Sequence, residues 1–194
     1  MGRKTQITKE LILETALQML LREGYGSINV KTLAAEIGCS TQPIVWHFEN
    51  MTGFRSAFFE YCIAFAQSQF TPWGGSLDDL LAETARGYIT IACNMPHLFR
   101  FVFADSREDC RGAAVQKMQR DSTEKILELL CREKAMTQTQ AETFLLNYEF
   151  YIHGIASYAA GGFVNDSEEK IIAMANRAKD AFLAYELGEQ GRGM

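Results

Sequence analysis

The sequence predicts an all-α protein. Apolar residues recur at three- and four-residue spacing along nearly the whole chain, no segment alternates with a period of two, and only three prolines occur in 194 residues. A hydrophobic content of 47% is ample for a buried core. A mean hydropathy of -0.11, with no apolar run of 18 residues, describes a soluble chain. About nine helices are expected, with no internal repeat and no low-complexity tract.

Met1 to Ile7 is polar and carries Arg3 and Lys4. Thr8 is placed to cap a first helix, in which Leu11, Ile12, Ala16, Met19 and Leu20 recur at helical spacing until Gly24 ends the run. Tyr25 and Ile28 are expected to pin the connection that follows. In Ser27 to Asn50, Val30, Leu33, Ala34 and Ile37 form one stripe. Gly38 follows the last apolar residue, and Ile44 can face the small Ala34 from a second short helix. Asn29 and Ser40 are positioned to cap the two helices. Two short helices crossing at a three-residue turn are the outline of a helix-turn-helix, the unit that lays its second helix in a DNA major groove.

Asn50 can cap a fourth helix, Met51 to Ser68, with Phe54, Phe58, Tyr61, Cys62 and Phe65 on its apolar face. Thr71-Pro72-Trp73-Gly74-Gly75 is the clearest break in the chain. Ser76 and Asp79 make an S-x-x-D start for a helix to about Cys93. Pro96 separates it from the apolar segment 97–103, and Asp105 to Gly112 reads as a loop. Val115, Met118, Ile126, Leu129 and Leu130 mark a helix to about Lys134. Thr139 and Glu142 suggest a capping box for a helix to Ala160. Phe144, Tyr148, Tyr151 and Ile155 form one of its faces, and Leu145, Ile152, Ala156 and Ala159 another. A helix apolar on two sides needs two covers, its own core and a second subunit. Gly161 and Gly162 end it. Ser167 opens a last helix to about Leu187, with Ile171, Ala175, Ala178, Phe182 and Tyr185 on a stripe, and Gly188 to Met194 reads as a disordered tail.

Net charge is -5, but unevenly spread. Residues 1–55 hold six basic and five acidic residues, and residues 56–194 hold 13 and 19. The asymmetry has the sign a DNA-reading N-terminus needs, while +1 per subunit is a weak grip on phosphate that two subunits would strengthen. The N-terminus lacks an apolar core of the secretory kind, and five scattered cysteines (Cys39, Cys62, Cys93, Cys110, Cys131) without C-x-x-C fit reduced thiols in a cytoplasmic protein. His47, His97 and His153 stand far apart, so no metal site is expected. Neither a nucleophile–base pair nor a phosphate-binding glycine motif is present, so no enzyme and no cofactor are expected.

Gly24-Tyr25, then Val30-x-x-Leu33-Ala34-x-x-x-Gly38-x-Ser40, then His47-Phe48 and a helix of about 18 residues, together resemble the TetR-type (TetR/AcrR) bacterial transcriptional regulators over roughly Ile7 to Phe65. The resemblance implies an N-terminal three-helix DNA-binding domain, 1–53. Helix 4 joins it to a helical ligand-binding and dimerisation domain, 54–194. It also implies a homodimer formed through the last two long helices, a palindromic operator and a small-molecule effector that weakens DNA binding.

Carried over by position, Asn29 stands where the family has a helix-capping, phosphate-touching Ser or Thr. Thr41, Gln42 and Pro43 open the recognition helix, and in His47-Phe48 the Phe is in the small core and the His toward the DNA backbone. Two positions depart. Val45 replaces the usual Tyr, and Met51 replaces the usual phosphate-binding Lys, so phosphate affinity is expected either to be lower or to shift to Lys31, Trp46 and the Arg3-Lys4 arm.

The DNA-contact candidates are therefore Asn29, Lys31, Ser40, Thr41, Gln42, Pro43, Trp46 and His47. Gln42 could pair with adenine N6 and N7 or touch a phosphate. Trp46 either faces DNA or packs on helix 1. Candidates for an apolar effector pocket are Tyr61, Tyr88, Phe99, Phe103, Met118, Tyr148 and Tyr151, polar-tipped aromatics and gap-fillers in the chain's middle. Arg86 and Arg100 are expected at the surface. A different reading, supported by Val45 and Met51, is a ligand-binding or protein-interaction adaptor with weakened DNA binding.

Overall fold

The computed structural model describes residues 7–69, 76–104 and 113–188; for 113–119 and 121 it describes the backbone alone. The breaks expected at 71–75 and 105–112, the Arg3-Lys4 arm and the tail beyond Gly188 lie outside these residues. The described residues form nine α-helices and no strand. They are α1 Lys9–Glu23, α2 Val30–Ile37, α3 Gln42–Phe48, α4 Met51–Ser68, α5 Leu77–Asn94, α6 Pro96–Phe99, α7 Ala113–Glu133, α8 Gln138–Ala160 and α9 Glu168–Gly188. A 3₁₀ turn spans Tyr25–Ser27, and a π-helical turn, Arg100–Ala104, extends α6.

The chain divides into two compact units, Met1–Gln67 with Met95–Gly112, and Ser68–Asn94 with Ala113–Met194. This division by packing does not follow the 53/54 boundary expected from the sequence: α4 stays with α1–α3, and 95–112 return to them.

In the first unit α1, α2 and α3 enclose a small core of Ile12, Ala16, Leu20, Leu33, Ala34, Ile44 and Phe48. Thr8 Oγ1 accepts from Leu11 N at 3.2 Å and caps α1. Aromatic rings extend this core: Phe48 meets Phe54 edge-on at 5.2 Å, Phe54 stacks on Phe58 at 5.4 Å, Phe58 touches Phe101 at 5.4 Å, and Tyr25 stacks on Phe101 at 4.6 Å. Tyr25 and Ile28 thus pin the α1–α2 connection, Tyr25 through the π-helical turn. Cys62 lies inside, and burial pushes its thiol well above the usual range.

The second unit packs α5, α7, α8 and α9 around Leu77, Leu81, Ile89, Leu130, Phe144, Tyr148, Ile171 and Ala175. Ser76 and Asp79 cap α5 as expected: Asp79 Oδ2 accepts from Ser76 N at 3.0 Å and from Ser76 Oγ at 2.8 Å, holding its carboxyl below the usual range. At the start of α8 the capping box is Thr137–Gln140, not Thr139–Glu142. Thr137 Oγ1 accepts from Gln140 N, and Gln140 Oε1 accepts from Thr137 N at 3.0 Å. Gln140 Nε2 also donates to the Glu186 carbonyl at 2.7 Å, a long-range bond that favours the earlier start. Of the stripe expected on α9, Ile171 and Ala175 are buried, whereas Tyr185 is exposed.

Candidate nucleic-acid interface

The α2–α3 turn is built by local chemistry. Asn29 Oδ1 accepts from Lys31 N at 2.9 Å and Thr32 N at 3.1 Å, while Thr32 Oγ1 accepts from Asn29 N at 3.0 Å. This reciprocal cap satisfies the first amides of α2. At its other end Gly38 is left-handed (φ 76, ψ 34); its N–H donates to Ala35 O at 3.1 Å and that of Cys39 to Ala34 O at 2.9 Å. This Schellman closure needs a residue without Cβ at that backbone conformation.

Ser40 does not cap α3. The cap position is Thr41, whose backbone is already helical (φ -70, ψ -16), and no side chain bonds the first amides. A capping side chain reaches back from an extended residue, and Thr41 is not one. Pro43 sits in the first turn of α3, where its missing N–H costs nothing.

At the far end Glu49 has φ 63, and Asn50 N donates to Phe48 O at 2.6 Å. Asn50 Oδ1 accepts from Gly53 N at 2.9 Å and caps α4 as expected. A Cβ on Gly53 would fall on the Phe48 carbonyl oxygen, far inside 3.0 Å. The start of α4 is therefore locked against the last turn of α3, and Met51 is half-buried there.

Successive residues turn about 100° around a helix. Ile44 and Phe48 are 1% and 5% exposed and face the core. Gln42 and Trp46 project on the opposite side, and Val45 lies on the flank between that side and the core. Gln42 is exposed, and Val45 and Trp46 are 47% and 77% exposed. Trp46 does not pack on α1; its indole stands edge-on to His47 with ring centres 4.6 Å apart. His47 is half-buried, and its Nε2 lies 2.9 Å from the Ile7 carbonyl oxygen, so Nε2 carries a proton and donates. That bond turns Nε2 of the imidazole toward the chain entering α1.

All eight DNA-contact candidates thus lie on α2, α3, their cap positions or the turn between them, with Asn29, Lys31, Ser40, Thr41, Gln42 and Trp46 exposed and Pro43 and His47 half-buried. Lys31 is the one Lys or Arg of Ser27–Asn50 and has no partner among the described residues. The other described cations of residues 1–55 are engaged: Arg22 with Glu23 at 2.7 Å and Glu36 at 3.1 Å, Lys9 over the Phe48 ring at 5.5 Å, and Arg55 over the Tyr25 ring at 5.3 Å.

The pocket candidates are divided. Tyr61, Phe99 and Phe103 belong to the first unit, where Phe99 is wholly buried and packs on Phe103 at 5.5 Å. Burial, with Glu14 adding, pushes the Tyr61 hydroxyl up. Tyr88, Tyr148 and Tyr151 belong to the second unit, while the Met118 side chain lies outside the described ones. Tyr88 Oη and His153 Nδ1 are 2.7 Å apart across α5 and α8. Tyr148 is 2% exposed, stacks on Phe144, and its hydroxyl has no hydrogen-bond partner among the described residues; burial and then Asp180 push that hydroxyl up. Arg86 is exposed, as expected, whereas Arg100 is half-buried with Nη2 3.2 Å from His97 Nδ1.

The outward apolar face of α8 is not one of the two expected from the sequence. Its outward apolar residues are Leu146, Phe150 and Tyr158, at 51%, 68% and 61% exposure, rather than either expected face. They form one i, i+4 ridge with Gly154, and that spacing was the signal available. The groove beside the ridge, about 340 Å³, is lined by Phe150, Tyr151, Ile155, Tyr158, Val164 and Met174. Among the described residues, large exposed hydrophobics occur in two places only: Val45 and Trp46 on α3, and six on α8, α9 and the turn between them.

A helix-turn-helix in a three-helix unit, followed by α4 and an all-helical second unit, defines the class of fold, that of the TetR-type regulators. No protein-family model and no curated protein sequence matches the chain. Solved structures do. A single-residue variant of TetR from Acinetobacter baumannii AYE in complex with minocycline is 19% identical with a TM-score of 0.65, over 92% of this chain and 96% of that one. A putative TetR-family regulator from Rhodococcus sp. is 17% identical at 0.65, over 89% and 96%. A TetR-family regulator from Marinobacter aquaeolei VT8 is 20% identical at 0.60, over 88% and 92%.

Proposed function

We propose that the protein is a homodimeric, DNA-binding transcriptional repressor released by a small-molecule effector, working in the cytoplasm without catalysis or cofactor. The observation that carries this reading is the placement of exposed apolar side chains. A monomer that exposes Trp46 at 77% and Phe150 at 68% leaves two surfaces uncovered. One is the outward face of a recognition helix, suited to a groove. The other is a helical ridge, Leu146-Phe150-Gly154-Tyr158, suited to the same ridge of a second copy. A Cβ at Gly154 would meet nothing within 4 Å, so the ridge has a notch in which a partner side chain can sit.

In this reading residues 1–53 read the operator and 54–194 bind effector and partner. Pairing through α8 and α9 sets two α3 helices about 34–36 Å apart, one turn of duplex, on a palindromic operator. Lys31, Asn29, Ser40 and Thr41 contact phosphate, and Gln42 contacts a base. The Tyr148 hydroxyl, without a partner among the described residues, supports an effector site inside the second unit, since buried polar groups without partners are rare in a finished core. An effector that fits better when α5 shifts acts on α6, which follows α5 directly in the chain at Met95-Pro96. The Phe101–Phe58–Phe54–Phe48 contacts then carry the displacement to α3.

A mobility shift with duplexes from the gene's own neighbourhood tests the reading. Binding by two chains per duplex, steeply weakened by salt, is expected. Gln42→Ala should relax base preference more than it changes salt dependence. No shift at low salt on any such fragment, or on a random-sequence library, overturns it in favour of an adaptor.

A further inference from the structure

We propose that Val45 and Trp46 are specificity-determining residues of α3 and that they read thymine C5-methyl groups, so that each operator half-site depends on thymines within two base pairs of the Gln42 contact. This rests on the reading that α3 enters a major groove.

The outward face of α3 is almost free of polar chemistry. Gln42 supplies one amide; Val45 and Trp46, one turn on, flank its line on either side and supply an isopropyl group and an indole. Between Thr41 and Asn50 there is no Lys or Arg, and Glu49 at the end of the helix repels phosphate. Such a face gains little by lying along a backbone. In the major groove the thymine methyl is the one apolar group on a base-pair edge, and the partner that an amide takes bidentately is adenine. Gln42 and Trp46 are about 6 Å apart along the helix axis. With base pairs about 3.4 Å apart, their contacts fall on base pairs one or two steps apart.

Trp46 is also preorganised. Its indole rests edge-on against His47, and the His47 ring is held by the Ile7 carbonyl. An aromatic fixed in this way meets a methyl group at lower ordering cost than a free one.

The full-length protein would be used to select duplexes from a random library. Each thymine of the selected site would then be replaced in turn by uracil, which removes the methyl and nothing else. Loss of one buried methyl is expected to weaken binding about fourfold, and symmetric replacement in both half-sites about fifteenfold. Val45→Ala and Trp46→Ala, both at exposed positions that leave the core intact, should bind more weakly and lose the thymine–uracil difference at their own contact. If no duplex is selected, groove reading itself fails and this assignment with it. If a site is selected but uracil is neutral at every position, groove reading stands and methyl reading is overturned. Methyl dependence unchanged in both variants assigns it to other residues and equally overturns the proposal.

Discussion

Gly53→Ala places a methyl group on the Phe48 carbonyl oxygen. Gly53 sits in the first turn of α4, where alanine is normally the better residue. Removing a helical glycine would by itself stabilise by about 0.5–1 kcal/mol. Here the added Cβ falls far inside 3.0 Å of a backbone oxygen, while its next neighbours, the Phe48 carbonyl carbon at 3.5 Å and Asn50 Oδ1 at 3.9 Å, are in ordinary contact. The clashing atom is main chain and already accepts the Asn50 N–H at 2.6 Å, so it cannot rotate aside.

Overpacking of this kind costs about 1–3 kcal/mol. The net effect is a destabilisation of about 1–2 kcal/mol, and at roughly 2–4 °C per kcal/mol for a chain of this length Tm falls by about 2–8 °C. Because α3 must move to relieve the contact, DNA affinity should fall with Tm, whereas Thr52→Ala one position earlier should leave both unchanged within error. The assays are thermal unfolding at fixed protein concentration and fluorescence anisotropy with a selected duplex. A Tm that rises would refute the close approach of α3 and α4, because only the helix-propensity gain would then be acting.

Three further outcomes follow from the same structure. Lys31→Ala should weaken DNA binding by a similar factor on all sequences and lower the slope of log affinity against log salt by about two for a dimer, read from anisotropy titrations at several salt concentrations. Phe150→Glu puts a charge on an exposed ridge without touching the core, so Tm of the isolated chain should hold while sedimentation velocity shows monomer and operator affinity collapses. The Asp79 carboxyl is held below its usual range by Ser76. A depressed folded-state pKa contributes stability that is complete above the unfolded value of about 3.9 and is lost as pH falls through the folded one. Asp79→Asn should therefore flatten the fall of Tm between about pH 5 and pH 3.

The helix-turn-helix was legible because its determinants are local. Asn29, Gly38 and Asn50 act within five residues of themselves, and the Leu33-Ala34-Ile44 core spans a dozen positions. The start of α8 was not legible, because TQTQAE offers two overlapping boxes. The choice of Thr137 over Thr139 is helped by Gln140 reaching the carbonyl of Glu186, 46 residues away. Ser40 was misread for a different reason: the cap position falls on Thr41, whose backbone is already helical, and no side chain bonds the first amides of α3. The ambiguity over Trp46 had no local answer either, since helical spacing alone does not say whether α1 extends over position 46. The aromatics proposed for one effector pocket were chosen by residue type. Packing divides them between two units, because α6 and the π-helical turn return to the first unit after α5 has left it.

The central claim is that two copies of this chain hold two α3 helices on one duplex. Sedimentation of the full-length protein with a selected duplex, at a salt concentration where binding is tight, tests it most directly. The account predicts two chains per duplex, an inverted-repeat site with half-site centres one helical turn apart, and loss of the complex in Phe150→Glu. A protein that stays monomeric and selects no duplex, or that binds one chain to an unpaired site with Phe150→Glu unaffected, would contradict it.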